Sequence, residues 1–200
     1  MLQKIRQVEK VFREIDADIK RIKSVTGTSC PSGCISCCLK PNLEASVLEF
    51  LPLAYHLVST GQDEEVVDKI ESGQSVCVSL NTIRINDQQP GCRFYAHRGA
   101  ICRLFGSAPL RDPKTGKLSL YACKILKENY ATEWSDINAK ILAMPKQPVV
   151  SDYYYRLMSI DHHLANDYNP INMSILKAIH KVSLSVRNRP QPNAPFGKAV

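Results

Sequence analysis

The sequence predicts a mainly α fold: a single α-rich domain whose middle is irregular, rich in cysteine and held by metal, with one small hairpin. Three observations carry that expectation. Apolar residues recur at helical spacing near both ends of the chain, and residues 74–123 are broken by turn residues. All eight cysteines lie between positions 30 and 123, with four of them inside nine residues. Two hundred residues is enough for one domain with its own core. The division expected is an amphipathic N-terminal helix over 1–27, a cysteine-cluster metal-binding domain with C-terminal helices over 28–186, and a disordered basic, Pro-rich tail over 187–200.

The first helix is read from a seam. Ile5, Val8, Phe12, Ile15, Ile19 and Ile22 alternate steps of three and four, the spacing that keeps one face of a helix on a partner. Three heptads are short for a free coiled coil, so the seam should dock on the body of the chain or on a second copy. Gly27 suits the left-handed geometry that ends a helix. In Cys30-Pro-Ser-Gly-Cys34-Ile-Ser-Cys37-Cys38, Pro31 and Gly33 forbid a regular helix and predict a tight loop. Residues 42–60 read as a second helix capped by Asn42 and kinked at Pro52, which lacks a donor and clashes with the preceding turn. A shorter helix is expected over Asp63–Ser72, stopped by Gly73.

Between 74 and 123 the clearest local signals are a turn at Asp87–Gly91 and a hairpin tip at Asp112–Gly116 leading into a strand over Lys117–Ala122. Helices should follow over about 124–143, 151–165 and 170–186. Ser151 is the expected cap of the second, and Asn169-Pro170 is a cap followed by proline at the first position of the third.

Several function classes are excluded or disfavoured. No apolar run approaches the length of a membrane span, and the first residues lack the apolar core of a signal peptide, so the expected compartment is the cytoplasm. The net charge is +7. From Pro170 onward there are five cations (Lys177, Lys181, Arg187, Arg189, Lys198) and no acid. A solvated tail explains that excess without nucleic acid, for which no signature is present; a protein partner could use the tail or the N-terminal helix. There is no phosphate-binding Gly loop and no Gly-x-Ser-x-Gly elbow.

Reduced thiols crowded together repel once ionised, so a cation is the natural counterpart. Zinc takes four thiolates, and iron–sulfur clusters are also held by thiolates. Cys37 and Cys38 are adjacent, and neighbouring side chains diverge, which argues for a polynuclear centre or two ions over one mononuclear site. Candidate ligands are Cys30, Cys34, Cys37, Cys38, Cys77, Cys92, Cys102 and Cys123. Arg93, Arg98, Arg103 and Lys124 stand beside cysteines and could offset thiolate charge. His97 could ligate or relay protons but reads better as a loop residue. His162 and His163 are adjacent on a helix and point about 100° apart, and His56 and His180 read as isolated structural histidines.

The downstream pattern Cys92-Arg-Phe-Tyr95-Ala-His97-Arg98-Gly-Ala-Ile-Cys102-Arg103-Leu-Phe105, taken with Cys77–Leu80 and the Cys37-Cys38 group, resembles the YkgJ-type cysteine-cluster family, also described as the CxxCxxCC zinc- or iron-chelating domain. The resemblance spans about residues 30–105. Gly99 and Gly106 stand where the family has proline, and Val78-Ser79 replaces Pro-Phe; no expected ligand is lost. The resemblance implies an iron–sulfur cluster of the [4Fe-4S] type, or a zinc or iron ion, held by cysteines from both halves, with Arg98 and Arg103 as motif residues beside the cofactor. It implies no settled reaction. Flagellin lysine N-methylases carry a cluster of this kind, so a metal-dependent modification enzyme is one alternative and a structural-zinc interaction module another.

Overall fold

A computed structural model describes residues 1–31, 33–41, 43–81 and 91–187 of the chain. Over those residues it is mainly helical with three small antiparallel sheets. The first helix, α1 (Leu2–Thr26), follows its seam: Ile5, Val8, Phe12, Ile15, Ile19 and Ile22 are all buried. Gly27, at φ 74°, closes it by returning its N–H to the Lys23 carbonyl at 2.9 Å, the αL closure expected of glycine.

Residues 42–60 are not one helix. Strand β1 (Glu44–Ser46) and a 3₁₀ turn (Leu48–Phe50) precede α2 (Leu51–Thr60). Pro52 lies in the first turn of α2 and causes no kink, because the N–H it lacks would have no helical acceptor there. The proposed Asn42 cap lies outside the described residues. Helix α3 (Asp63–Glu71) follows, with Gly73 at φ 86° just beyond it.

The middle of the chain holds short elements joined by turns. They are β2 (Leu80–Asn81), β3 (Gly91–Cys92), a 3₁₀ turn (Tyr95–His97), α4 (Ala100–Leu104), β4 (Pro109–Arg111) and β5 (Leu118–Leu120). β4 and β5 form the expected hairpin, pairing Pro109 with Leu120 and Arg111 with Leu118. Leu80 pairs with Cys92 across β2 and β3.

The later helices are more divided than their periodicity suggests. Residues 124–143 split into α5 (Lys124–Asn129) and α6 (Trp134–Leu142). Residues 150–166 split into α7 (Val150–Ile160) and α8 (His162–Asn166), because the Asp161 carboxylate accepts from the Leu164 N–H at 2.9 Å and starts a new helix. Val149 caps α7, so Ser151 lies inside it. Pro170 ends strand β6 (Tyr168–Pro170), and α9 (Ile171–Arg187) begins one residue later. β6 pairs with β1, Ala45 opposite Asn169, and the Ser174 hydroxyl donates to the Ala45 carbonyl at 2.7 Å. The tail expected from 187 lies outside the described residues apart from the Arg187 backbone.

Two hydrophobic clusters result. The larger joins α1, α2, α7 and α9 around Ile15, Leu51, Leu57, Leu157 and Ile179. The smaller is Leu120, Leu126, Ile137 and Ile141, with Trp134 and Tyr130 packed on it. Among the described residues no helix is long and apolar enough to cross a membrane.

Candidate metal centre

All eight cysteines are free thiols. Six of them divide according to the core beside them, while Cys34 and Cys37 lie on the loop between Cys30 and Cys38. Cys77 is buried in the larger cluster, and Cys38, Cys92 and Cys102 pack against the same cluster. Cys123 packs instead on the smaller one. Cys30 stands with it: a Cβ placed on Gly106 would meet the Cys30 Sγ at 3.6 Å and the Leu126 Cδ2 at 3.5 Å.

The loop that starts the cluster is a chain of turns. The Cys38 N–H donates to the Ile35 carbonyl at 2.8 Å, and Gly33 takes φ 68°. The Cys77 N–H reaches across to the Cys38 carbonyl at 3.1 Å, joining two segments distant in sequence. The loop carrying Cys77 is clamped from α9: the Asn172 amide donates to the Gln74 and Val76 carbonyls, both at 2.9 Å, and its oxygen accepts the Val78 N–H at 2.8 Å. Asn172 lies outside every local motif, and only the fold brings it to this loop.

Charge repulsion links the thiols within these groups and also along the loop, where Cys34 disfavours the Cys38 thiolate and Cys38 that of Cys37. Burial is the first cause raising Cys38 to about 11, and the neighbouring Cys77 is the second. Burial again leads for Cys77, Cys92 and Cys102, and every pair among Cys38, Cys77, Cys92 and Cys102 is close enough for one ionised sulfur to disfavour the other. In the other group, burial first and then Cys123 and Cys30 push Cys37 up to about 11, while Cys30 is raised by burial and then by Cys34 and Cys123. Cys102 is half-buried by surface area, yet desolvation pushes its thiol well above the usual range. The density of protein around its sulfur governs its charge more than the residue's exposed area does.

Two sulfurs, those of Cys77 and Cys92, meet donors that favour the thiolate, and the Cys123 sulfur accepts a hydrogen bond. The Ser79 and Leu80 N–H groups and the Ser79 hydroxyl are directed at Cys77, the Phe94 N–H at Cys92, and the Leu126 N–H at Cys123 at 3.4 Å. Such donors tune thiolate-held centres. In donor chemistry the residues therefore suit a soft cation or an iron–sulfur centre. Their positions are those of separate thiols: among the described residues no group of three or more His, Cys, Asp and Glu side chains could hold a metal ion as it stands. Binding would have to draw the sulfurs together.

The two motif arginines share Asp16, which Arg98 meets at 3.8 Å, and otherwise differ in what they touch. Arg98 lies where its charge favours the thiolates of Cys30 and Cys92, and its guanidinium stacks on Tyr95 at 3.8 Å. Arg103 is buried and turned toward α1. It pairs with Asp16, lies over the Phe12 ring at 4.7 Å, and donates to the carbonyls of Arg98 at 3.0 Å and Ala96 at 2.6 Å. Arg93 pairs with Glu65, and Lys124 with Glu128. His97 stacks on His56 with ring centroids 4.2 Å apart, so His56 is not isolated. Burial, then the charge of His56, lowers the His97 pKa. Asp161 caps α8, while the rings of His162 and His163 stand 6.0 Å apart at 86°.

Glu49 escaped the sequence reading. It is fully buried beneath Cys102, accepting from the Ser46 N–H at 2.8 Å, the Ser46 hydroxyl at 3.1 Å and the Ile101 N–H at 2.8 Å. Burial raises its pKa, and these donors oppose the rise. The Ser46-x-x-Glu49 spacing before an apolar run is a capping-box signal that could have found it. Gly99 allows the arrangement, since a Cβ there would stand 2.9 Å from both the Glu49 Oε2 and the Phe50 Cζ. Gly99→Ala is expected to destabilise the metal-free chain by about 1–3 kcal/mol through overpacking; chemical denaturation at neutral pH measures it, and an unchanged midpoint would show that the pocket yields.

Fold and site together define a mainly helical protein with eight free thiols on and between its loops. No family model, curated protein or solved structure matches the chain.

Proposed function

We propose that this is a metal-binding protein of the YkgJ-like cysteine-cluster type, whose thiols hold an iron–sulfur cluster or a zinc or iron ion. One observation carries the reading. Eight free thiols contributed by segments from Cys30 to Cys123 stand where an ionised sulfur penalises its neighbours, although not yet at ligand distance. A bound cation removes that penalty, and metal affinity rises as the thiols lose their protons. The N–H groups beside Cys77 and Cys92 support the same role, because they lower the cost of the thiolate form.

When bound, the metal would supply thiolate-ligated redox or Lewis-acid chemistry, or simple cross-linking of loops. The chain's own residues position the donors: Asn172 fixes the Cys77 loop, and Glu49 fixes the turn that carries Cys102.

Anaerobic purification followed by metal and acid-labile sulfide analysis, with an absorption spectrum, tests the reading. Iron with sulfide and a broad visible band identifies a cluster, and stoichiometric colourless zinc identifies an ion site. A folded chain holding neither metal, and taking up none when reduced, overturns the proposal.

A further inference from the structure

We propose that the eight thiols form two separate sites of unequal lability: an inner site of Cys38, Cys77, Cys92 and Cys102 that retains its ion, and an outer site of Cys30, Cys34, Cys37 and Cys123 that exchanges a thiophilic divalent cation with solution. The inference rests on the metal-binding reading above and deepens it.

Packing divides six of the eight. The four inner cysteines all rest on the larger hydrophobic cluster, whereas Cys123 rests on the smaller one with Cys30 beside Leu126 and Gly106. Cys34 and Cys37, which precede the core-packed Cys38 on the loop that begins at Cys30, are assigned with Cys30, so adjacent Cys37 and Cys38 fall in different sites. Such a split resolves the geometric difficulty of two neighbouring side chains sharing one ion. It also accounts for eight sulfurs where a single ion or four-iron cluster takes four.

The inequality follows from what holds each set. The inner cysteines come from four segments tied by the Cys77–Cys38 backbone hydrogen bond, the Leu80–Cys92 strand pair, the Asn172 clamp and the Glu49 anchor. Opening that site means dismantling part of the core. Three outer cysteines sit on one short loop, and Cys30 and Cys34 are exposed. An incoming ligand or chelator can reach an ion held there, and the loop can release it without disturbing either helical core. Cys77, by contrast, is only 7% exposed.

Cadmium ions are the probe, so the native metal need not be known. The reduced full-length chain is titrated anaerobically while thiolate-to-cadmium charge-transfer absorption is followed, and the loaded protein is then mixed with a chromogenic chelator. The expected result is a break at two equivalents per chain and release in two phases of equal amplitude. Cys123→Ser and Cys30→Ser should each abolish the fast phase and leave the slow one. Cys92→Ser should abolish the slow phase, and circular dichroism checks that this variant folds; the two outer variants decide the matter if it does not. A single break at one equivalent, lost in outer and inner variants alike, overturns the two-site inference but leaves metal binding standing. Two equivalents released at one rate, or loss of the slow phase in an outer variant, also overturns it. No cadmium bound at all sinks the metal-binding reading itself.

Discussion

Glu49→Ala is expected to lower the stability of the reduced, metal-free chain by about 3 kcal/mol at neutral pH, since each orphaned buried donor costs about 1–3 kcal/mol. The Ser46 and Ile101 N–H groups lose their acceptor; Ser46 is buried and Ile101 partly so. Glu49→Gln keeps an acceptor oxygen and should cost clearly less. The pair of variants also carries a pH signature. Burial raises the folded pKa of Glu49 above its unfolded value, so the stability it contributes is full below the unfolded pKa, about 4.5, and is lost as pH rises through the folded value. Relative to Glu49→Gln, the native chain should therefore be at its best in acid and lose ground toward neutrality. Urea unfolding of both proteins across that range measures the slope; a parallel pair of curves would mean that Glu49 does not titrate on unfolding. Cadmium uptake adds a second reading, because the turn holding Ile101 also carries Cys102 and loses its anchor with Glu49.

What could be read from the sequence divides by range. The seam of α1, its stop at Gly27, the helix α3 and the β4–β5 hairpin rest on patterns a few residues long, and the structure has all of them. The failures are places where a distant segment decides. Residues 44–46 leave the helical state because their backbone pairs with 168–170, more than 120 positions away, and no local propensity contains that partner. Once β1 forms, Pro52 falls in the first turn of α2, where proline is tolerated, and the expected kink disappears. Asp161 splits a periodic run because a capping aspartate competes with helix continuation. The site shows the same contrast. All eight cysteines could be named from the sequence, and the divergence of Cys37 and Cys38 already hinted at more than one centre. Which sulfurs stand together was not legible, since Cys123 is brought near Cys30 and Cys37 only by the fold, from more than 80 positions away. Asn172 was invisible as a site residue because it acts on a loop far from its own position in the chain, whereas Glu49 left a capping-box signal but its reach to Ile101 did not show.

Arg103→Ala separates two roles that the sequence could not tell apart. A residue whose guanidinium only neutralises a bound centre should be dispensable in the metal-free protein. Arg103 is instead 6% exposed and joins the loop before α4 to the first helix through Asp16, Phe12 and the carbonyls of Ala96 and Arg98. Hydrogen bonds to a charged group contribute about 1.5–3 kcal/mol each, and Asp16 keeps solvent access on one side, which tempers its share. The expected loss for the metal-free chain is thus about 3 kcal/mol, read as a fall in the urea midpoint. Arg103→Lys should recover little of it, because an ammonium cannot reproduce a planar fork that meets a carboxylate and two carbonyls while lying on an aromatic ring. Arg98→Ala supplies the contrast. Arg98 stacks on Tyr95, meets Asp16 only at 3.8 Å and lies near Cys30 and Cys92, so its loss should weaken cadmium binding more than it weakens the empty fold. If Arg103→Ala left the metal-free chain at full stability and instead released the metal, Arg103 would act on the centre, and its contacts with α1 would be incidental.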